Sequence, residues 1–288
     1  MNIVITSKNG YISRRLDGWL SYKNGQLQVE RVSIRNNSLA SVDLTNCNCV
    51  IHTAALVHKK ESNYSKKDYL ETNRDLTIKL ANKAKENGVR HFLLLSTMSV
   101  FGVEGSVTEK RIIDSRTPLS PQTFYGESKL GAEEALLNMQ TEDFKVAILR
   151  PPMVYGPGCP GNYKLLSKLA RKTPIFPDIQ NERSMIFIDN LCEFIRVVIE
   201  RRLSGIFHPQ DQEYVCTSQM VKEIARVHGK RVQLDKVSGA VVKNGLRKQA
   251  IVNKVFGNLT YAPELSSFEL DYHVCGMREA IRRSEKGE

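Results

Sequence analysis

The segment Asn2-Ile3-Val4-Ile5-Thr6-Ser7-Lys8-Asn9-Gly10-Tyr11-Ile12-Ser13 restricts the fold more than any other part of the sequence. Residues 2–6 are an apolar run typical of a buried strand, and residues 12–22 have the pattern of a helix. Such a strand–turn–helix unit binds a dinucleotide when glycines let a pyrophosphate approach the N–H groups of the helix N-terminus. Here Ser7 and Ser13 flank a single glycine. On its own, the segment is equally compatible with an ordinary strand-to-helix turn.

The rest of the first half alternates apolar runs with helical patterns, which is typical of a parallel sheet covered by helices on both faces. The predicted strands are 28–34, 49–54, 92–96 and 145–149, and the predicted helices are 65–88 and 125–139. After Arg150-Pro151-Pro152 the pattern becomes irregular and rich in Pro and Gly. We therefore predict an α/β fold: a Rossmann-like, doubly wound parallel sheet formed by a dinucleotide-binding domain over 1–150, completed by parts of 180–210. Residues 151–288 are expected to form mainly a small C-terminal substrate-binding lobe.

Composition narrows the class of protein. The 288 residues are 41% hydrophobic and 25% charged, which is ordinary for a globular protein with a substantial core. The sequence has no run of 18 apolar residues and does not begin like a signal peptide, so we expect a cytoplasmic protein without membrane insertion.

The net charge of +11 comes from basic doublets that are scattered along the sequence, without a stripe of interleaved aromatic residues. This distribution does not favour nucleic-acid binding, although the surplus would help to attract a dianionic ligand. The cysteines lack the paired spacing of a zinc site, so we predict buried free thiols and no metal; they are Cys47, Cys49, Cys159, Cys192, Cys216 and Cys275.

The segment Tyr125-Gly126-Glu127-Ser128-Lys129 carries the predicted chemistry. Residues four apart share one helix face, so the phenol of Tyr125 and the ammonium of Lys129 face the same site. A phenol with an ordinary pKa near 10 is a poor base at neutral pH, and an adjacent cation stabilises the phenolate. Tyr125 is then able to exchange a proton with a sugar hydroxyl while a hydride passes to or from a nicotinamide. The spacing alone is common on helices.

The position of this segment supports the prediction. Ser96 and Thr97 end the predicted strand 92–96, and hydroxyl side chains at the carboxyl ends of parallel strands lie where such sheets bind ligands. We predict that Thr97 hydrogen-bonds the reacting oxygen and that Ser99 makes a further contact with the substrate.

An ordered set of motifs resembles the extended short-chain dehydrogenases/reductases, in particular the NAD-dependent epimerase/dehydratase family that modifies nucleotide sugars. The set is Gly10, Asp43-Leu44, His52-Thr53-Ala54-Ala55, Asn73, Ser96-Thr97, Tyr125-x-x-x-Lys129 and Leu149-Arg150-Pro151-x-x-Val154-Tyr155-Gly156-Pro157-Gly158. It covers about residues 1–200. The chain is especially similar to short capsule-synthesis members that act on UDP-4-keto-6-deoxy-hexosamines.

This resemblance implies a role for each matching position. Lys129 would bind the nicotinamide ribose, Asn73 would hold the active-site strand and helix together, and the likeness also suggests a homodimer. Asn162 and Arg183 match residues that contact the diphosphate of the sugar nucleotide. The expected cofactor-binding residues are Ser7, Asn9, Gly10, Tyr11, Ile12, Arg35, Asp43, Leu44, Ala54, Ala55, Asn73, Ser96, Tyr125, Lys129 and Pro151.

The chain departs from the family pattern at two places that affect the cofactor. The family turn is G-x-x-G-x-x-G, whereas this chain has serine at both outer positions. The second predicted strand ends without an acidic residue to bind a ribose 2′-hydroxyl, and Arg35 would suit a 2′-phosphate, although a surface role for Arg35 is nearly as compatible. The cofactor is therefore predicted to be NAD or NADP.

These residues predict an enzyme that acts at C4 of a UDP-linked or related sugar, with Tyr125 as acid/base. The leading prediction is reduction of a 4-keto hexose or hexosamine in surface-polysaccharide synthesis, and the alternative is a UDP-sugar 4-epimerase. A dehydratase is disfavoured because Met98 and Ser99 follow Thr97 where an acid pair is expected. An alternative from another class is a non-catalytic homologue that binds sugar nucleotides but has lost tight cofactor binding.

Overall fold

The computed structural model describes residues 1–23, 25–34, 39–57 and 64–287. Its centre is a six-stranded sheet in which all strand pairs are parallel, in the order β2-β1-β3-β4-β6-β10. The strands are β1 (Asn2–Thr6), β2 (Gln28–Val32), β3 (Cys49–His52), β4 (His91–Leu95), β5 (Ile112–Ile113), β6 (Lys145–Leu149), β7 (Met153–Tyr155), β8 (Ile175–Pro177), β9 (Met185–Phe187), β10 (Gly205–Phe207), β11 (Gln233–Asp235) and β12 (Thr260–Tyr261). The predicted α/β class with a doubly wound parallel sheet is confirmed.

Helices cover both faces of this sheet. They are α1 (Tyr11–Lys23), α2 (Lys66–Tyr69), α3 (Leu76–Glu86), α4 (Phe124–Met139), α5 (Asn162–Ala170), α6 (Ile188–Glu200), α7 (Thr217–Val227), α8 (Lys236–Gly245), α9 (Ala250–Phe256), α10 (Pro263–Ser266) and α11 (Met277–Lys286). One hydrophobic core lies between the sheet and α1 and α6, and a second lies between the sheet and α3 and α4. Every residue of β3 and β4 is buried, because a central parallel strand is covered on both faces.

The predicted helix over 65–88 is not uniform. Leu70–Asp75 is a π-helical segment between α2 and α3, and Asn73 lies within it. A π turn inserted into a helix is rare in proteins as a whole, but many of the known examples lie at functional sites.

The two halves of the sequence interleave in space. Helix α6 and strand β10 come from the second half of the sequence. Even so, α6 packs against α1, and β10 joins β6 at the edge of the central sheet. In the opposite direction β5, from the first half, pairs with β12 near the C-terminus. The domain boundaries remain a prediction. Within the described residues, no helix has the length and hydropathy needed to cross a bilayer.

Candidate active site

The candidate site lies at the carboxyl edge of the central sheet. The chain leaves β1 at Ser7, β3 at Thr53, β4 at Ser96 and β6 at Arg150, and parallel strands bring these four points to one edge. Strand β2 follows β1 toward one side of the sheet, whereas β3, β4, β6 and β10 continue toward the other. In an open α/β sheet the crevice at such a reversal of strand order binds the ligand.

The turn between β1 and α1 has the geometry of a glycine-dependent turn even where serine replaces glycine. Ser7 has φ 76°, a left-handed conformation that costs most residues free energy. A Cβ atom at Gly10 would lie 2.5 Å from Ser7 Oγ, so a larger residue here would have to displace the Ser7 hydroxyl. The Ser13 hydroxyl donates to the carbonyl oxygens of Ser7 and Gly10 and closes the turn from the helix side.

This turn fits a pyrophosphate. The backbone N–H of Gly10 donates to Ser7 O at 3.1 Å, and the first turn of α1, which begins at Tyr11, carries no acidic residue. The first N–H groups of a helix lack intrahelical partners and bear partial positive charge, which favours a phosphate. The Tyr11 hydroxyl is buried near Gly156, so the phenol of Tyr11 points into the protein interior. Asn9 is exposed on the turn, and Ile12 is partly buried.

A buried hydrogen-bond chain joins the ends of β1 and β3. The backbone N–H groups of Thr53 and Ala54 each donate to Thr6 Oγ1 at 3.1 Å, and that hydroxyl lies 2.8 Å from His52 Nδ1. His52 Nε2 lies 2.8 Å from Thr77 Oγ1, which donates to Asn73 O at 2.6 Å. Burial lowers the pKa of His52 to about 3, so the ring is neutral and connects β1 to the π-helical segment.

Asn73 connects this chain to the helix that carries Tyr125. Its Oδ1 accepts from Leu56 N at 2.6 Å, and its Nδ2 donates to Ser128 Oγ at 3.0 Å. Ser128 in turn donates to Tyr125 O at 2.9 Å. Because Asn73 is fully buried, it fixes the loop after β3 and α4 relative to each other.

Tyr125 and Thr97 meet at the carboxyl end of β4. A hydrogen bond between their side chains favours the phenolate, but burial outweighs it and raises the pKa of Tyr125 to about 12. Thr97 Oγ1 also accepts from Ser99 N at 3.1 Å and caps the short turn Met98–Phe101. The Ser99 side chain is exposed beside this pair.

Lys129 is almost fully buried, and its Nζ donates to Leu95 O at 2.8 Å. Burial lowers the pKa of Lys129 to about 8, while Glu133 acts in the opposite direction. We expected the cation at i+4 to lower the pKa of Tyr125. In the structure the pKa of Tyr125 is instead raised, because desolvation of the phenol dominates.

A buried ion pair behind Lys129 was missing from the sequence predictions. Glu133 follows Lys129 by one helical turn of α4 and pairs with Arg150 at 2.6 Å, with both side chains buried. Ser96, a predicted cofactor contact, is almost fully buried and donates its hydroxyl to Glu133. The signal in the sequence was the i+4 spacing of Glu133 from Lys129, which places the carboxylate on the same helix face as the ammonium.

The predicted adenine and nicotinamide contacts differ in accessibility. Asp43 is exposed and its carboxylate accepts from Thr45 N at 2.8 Å, whereas Leu44 is buried in the core and offers only its main chain. Ala54 and Ala55 are half-buried after β3, and Pro151 O accepts from Met98 N at 3.1 Å. Arg35 lies outside the described residues.

The predicted diphosphate contacts belong to the second half of the chain. Arg183 precedes β9, and its Nη1 donates to Lys254 O at 3.1 Å and Gly257 O at 3.0 Å. Burial lowers the pKa of this guanidinium, and the described residues include no carboxylate that pairs with it. Asn162 is the first residue of α5 and is half-buried.

The cysteines are free, with Cys216 and Cys275 partly exposed and the other four buried. Over the described ranges, no three His, Cys, Asp or Glu side chains form a group that suits a metal ion.

A parallel sheet with a strand–turn–helix unit at β1 and a Thr–Tyr–Lys group at its carboxyl edge is the arrangement predicted above for an extended short-chain dehydrogenase/reductase. Residues 11–208 match the NAD dependent epimerase/dehydratase family, and the chain belongs to this family. The predictions of an NAD(P)-dependent enzyme of the class that modifies nucleotide sugars are thereby confirmed.

Named relatives come from both the epimerase and the reductase branches. The chain is 30% identical over 229 residues to a UDP-glucose 4-epimerase of Vibrio cholerae, covering 77% of this chain and 69% of that protein. The structure resembles Thermus thermophilus UDP-glucose 4-epimerase in complex with NAD, with a TM-score of 0.74 and 18% identity over 100% and 98% of the two chains. It also resembles a dTDP-4-dehydrorhamnose reductase of Clostridium acetobutylicum, with a TM-score of 0.67 and 20% identity over 82% and 83%. At these identities the structural likeness shows the fold alone.

Proposed function

We propose that this protein catalyses hydride transfer at C4 of a nucleotide-linked hexose or hexosamine, and that its leading reaction is reduction of a UDP-4-keto sugar. The observation that carries the proposal is the hydrogen-bonded pair of Thr97 and Tyr125, beside buried Lys129 at the carboxyl edge of the sheet. A carbonyl oxygen between the two hydroxyls would meet two donors at once.

The proposed chemistry divides between the cofactor and the protein. The hydride that C4 receives would come from a reduced nicotinamide, when that cofactor is bound. Tyr125 supplies the proton that the C4 oxygen needs to become a hydroxyl, and Thr97 donates a hydrogen bond to the same oxygen. The charge of Lys129 would stabilise the phenolate that Tyr125 leaves behind, and that phenolate regains its proton from solvent.

The turn at Ser7 favours reduction over epimerisation. An epimerase returns the hydride to the same sugar and must retain its cofactor, whereas a reductase exchanges the cofactor after each turnover. A serine forced into the left-handed region weakens a preorganised phosphate turn, which suits exchange. One observation favours a 4-epimerase as second candidate: the 30% identity to the Vibrio cholerae UDP-glucose 4-epimerase.

Arg183 and Asn162 are the proposed contacts to the substrate diphosphate, because a guanidinium fork matches phosphate oxygens and Arg183 has no acidic partner among the described residues. The same proposal includes a homodimer formed through α4. It also includes a nicotinamide cofactor, either NAD or NADP.

The test is to incubate the purified protein with NADH or NADPH and a panel of UDP-4-keto sugars while following the nicotinamide absorbance. Stoichiometric oxidation of the cofactor is expected, and Tyr125→Phe should lower the rate by about a hundredfold or more. Tyr22→Phe, at an exposed tyrosine of α1, is the matched control. Interconversion of UDP-glucose and UDP-galactose with cofactor that survives purification would instead establish the epimerase. Failure to bind NADH and NADPH would refute both enzymes and indicate a non-catalytic sugar-nucleotide-binding protein.

A further inference from the structure

The positive charge of the chain is concentrated in two segments, 160–178 and 228–254. Together they contain eleven lysine and arginine residues and two aspartates, a net charge of +9, against +11 for all 288 residues. The two segments are far apart in the sequence, so only the fold decides whether they share one surface. We call these two segments the basic surface.

The fold joins the two segments into one region. Strand β8 pairs with β11 in parallel, placing Ile175 beside Gln233. Lys230 Nζ donates to Arg171 O at 2.6 Å, and Gly239 of α8 packs directly against the backbone of Asp178. Between the segments lies a cleft of about 420 Å³ whose lining includes Arg171, Lys172, Lys230 and Arg231.

All eleven basic side chains of this surface are exposed. In the part of the chain that the structure describes, none of them forms an ion pair with an acidic side chain. Elsewhere on the protein many exposed arginines and lysines do form such pairs, for example Lys110 with Glu182. The charge of the basic surface is therefore available to an external partner.

The same surface carries exposed apolar side chains. Of the thirteen large apolar side chains exposed in the described residues, seven lie on it. Val237 and Val241, one turn apart on α8, are 74% and 59% exposed, while Gly239 and Val242 on the other side of the helix pack inward. Leu165 on α5 and Ile251 on α9 are 64% and 61% exposed.

We propose that the basic surface docks this protein onto a membrane that contains anionic lipids. Exposed aliphatic residues among unpaired lysines and arginines are the composition of a helix that lies in a bilayer interface, with apolar side chains in the acyl boundary and cations at the headgroups. A nucleic-acid surface would instead present aromatic side chains for stacking. The two such residues of these segments, Tyr163 and Phe176, are buried in the core, as is Phe256 just after the second segment.

This docking would hold the proposed substrate site near the bilayer. The C-terminal end of α9 supplies Lys254 O and Gly257 O to Arg183, so the basic surface directly adjoins the proposed diphosphate contact. The membrane proposal does not depend on the proposed function, because it rests only on surface charge and exposure.

The experiment is co-sedimentation of the full chain with vesicles of phosphatidylcholine alone or of equimolar phosphatidylcholine and phosphatidylglycerol. We expect binding to the anionic vesicles only, weakened when salt is raised from about 0.1 M to about 0.5 M. The triple variant Lys243→Glu, Arg247→Glu, Lys248→Glu should lower the partition coefficient at least about tenfold, since each basic residue contributes to the attraction. Val237→Ser with Val241→Ser should also lower it, at unchanged net charge.

The matched control reverses three exposed basic residues at the opposite, amino-terminal edge of the sheet: Lys85→Glu, Arg90→Glu, Arg202→Glu. It should retain vesicle binding. Equal loss in this control, or no binding to the anionic vesicles at about 0.1 M salt, overturns the proposal. Salt-sensitive binding of a duplex oligonucleotide through the basic surface, without vesicle binding, also overturns it.

Discussion

The carboxylate of Glu133 and the guanidinium of Arg150 form a buried ion pair, with Nη2 and Oε2 2.6 Å apart and exposed fractions of 1% and 6%. Glu133 belongs to α4 and Arg150 follows β6, so the pair fixes the helix that carries Tyr125 against the edge of the sheet. The hydroxyl of Tyr261 also donates to Arg150 O at 2.8 Å, which extends the contact to β12.

Replacing Glu133 by glutamine should destabilise the protein strongly. It would leave the buried Arg150 charge without a counter-ion, and breaking one partner of a buried pair typically costs about 3–5 kcal/mol of unfolding free energy. Denaturant unfolding measures the loss. Glu134→Gln, at the exposed neighbouring position, should change stability by less than about 0.5 kcal/mol. Similar small effects of the two variants would contradict a structural role for the pair.

The activity should fall as pH rises through about 8, the value to which burial lowers the pKa of Lys129. Above it the ammonium loses its proton and no longer stabilises a phenolate at Tyr125. Stability should move the other way. Between about pH 8 and the ordinary pKa of 10.5 the folded protein binds fewer protons than the unfolded chain, so stability rises with pH.

A pH–rate profile of kcat, with unfolding measured over the same range, tests both directions. Lys129→Met should abolish the rise in stability between those two pKa values. A rate that stays constant to about pH 10 would show that Lys129 remains charged or is not needed.

Replacing Ser7 by glycine should stabilise the protein by about 1 kcal/mol, because glycine adopts φ 76° without the clash of a Cβ atom. The midpoint temperature of thermal unfolding should rise by about 2–4 °C, and the dissociation constant of the cofactor should fall. Ser21→Gly, at an exposed position inside α1, should instead destabilise by about 0.5 kcal/mol. A Ser7→Gly variant that is less stable than the native chain would mean that the serine hydroxyl contributes more than the strain costs.

Replacing Arg183 by lysine should raise KM for the nucleotide sugar by about tenfold, with kcat within about twofold, because a lysine keeps the charge but loses the bidentate fork. Initial-rate kinetics separates the two parameters, and thermal unfolding checks that the contacts to Lys254 O and Gly257 O are not the sole function of Arg183. Arg226→Lys, at an exposed arginine paired with Glu223, is the control and should change neither parameter. An unchanged KM would remove Arg183 from the substrate site.

Most of the central fold was predictable because its signals are local. A buried parallel strand is a short apolar run, and β6 has the predicted bounds 145–149 while α1 and α4 each begin one residue before the predicted start. The place of Thr97 was predictable, since residues that follow parallel strands collect at one edge, and Tyr125 was assigned to the same site from its spacing to Lys129 and its order in the motif set. The π-helical segment around Asn73 was not, because its hydrogen bonds to Leu56 and Ser128 come from distant parts of the chain.

The sequence by itself determined the strand–helix alternation and the order of Gly10, Thr97, Tyr125 and Lys129, because periodicity and spacing are properties of neighbouring residues. Tertiary structure decided what depends on burial and long-range pairing. It reversed the expected direction of the Tyr125 pKa, because desolvation of the phenol depends on what packs around it. It also gathered basic residues of 160–178 and 228–254 onto one surface, because only the pairing of β8 with β11 brings those segments together.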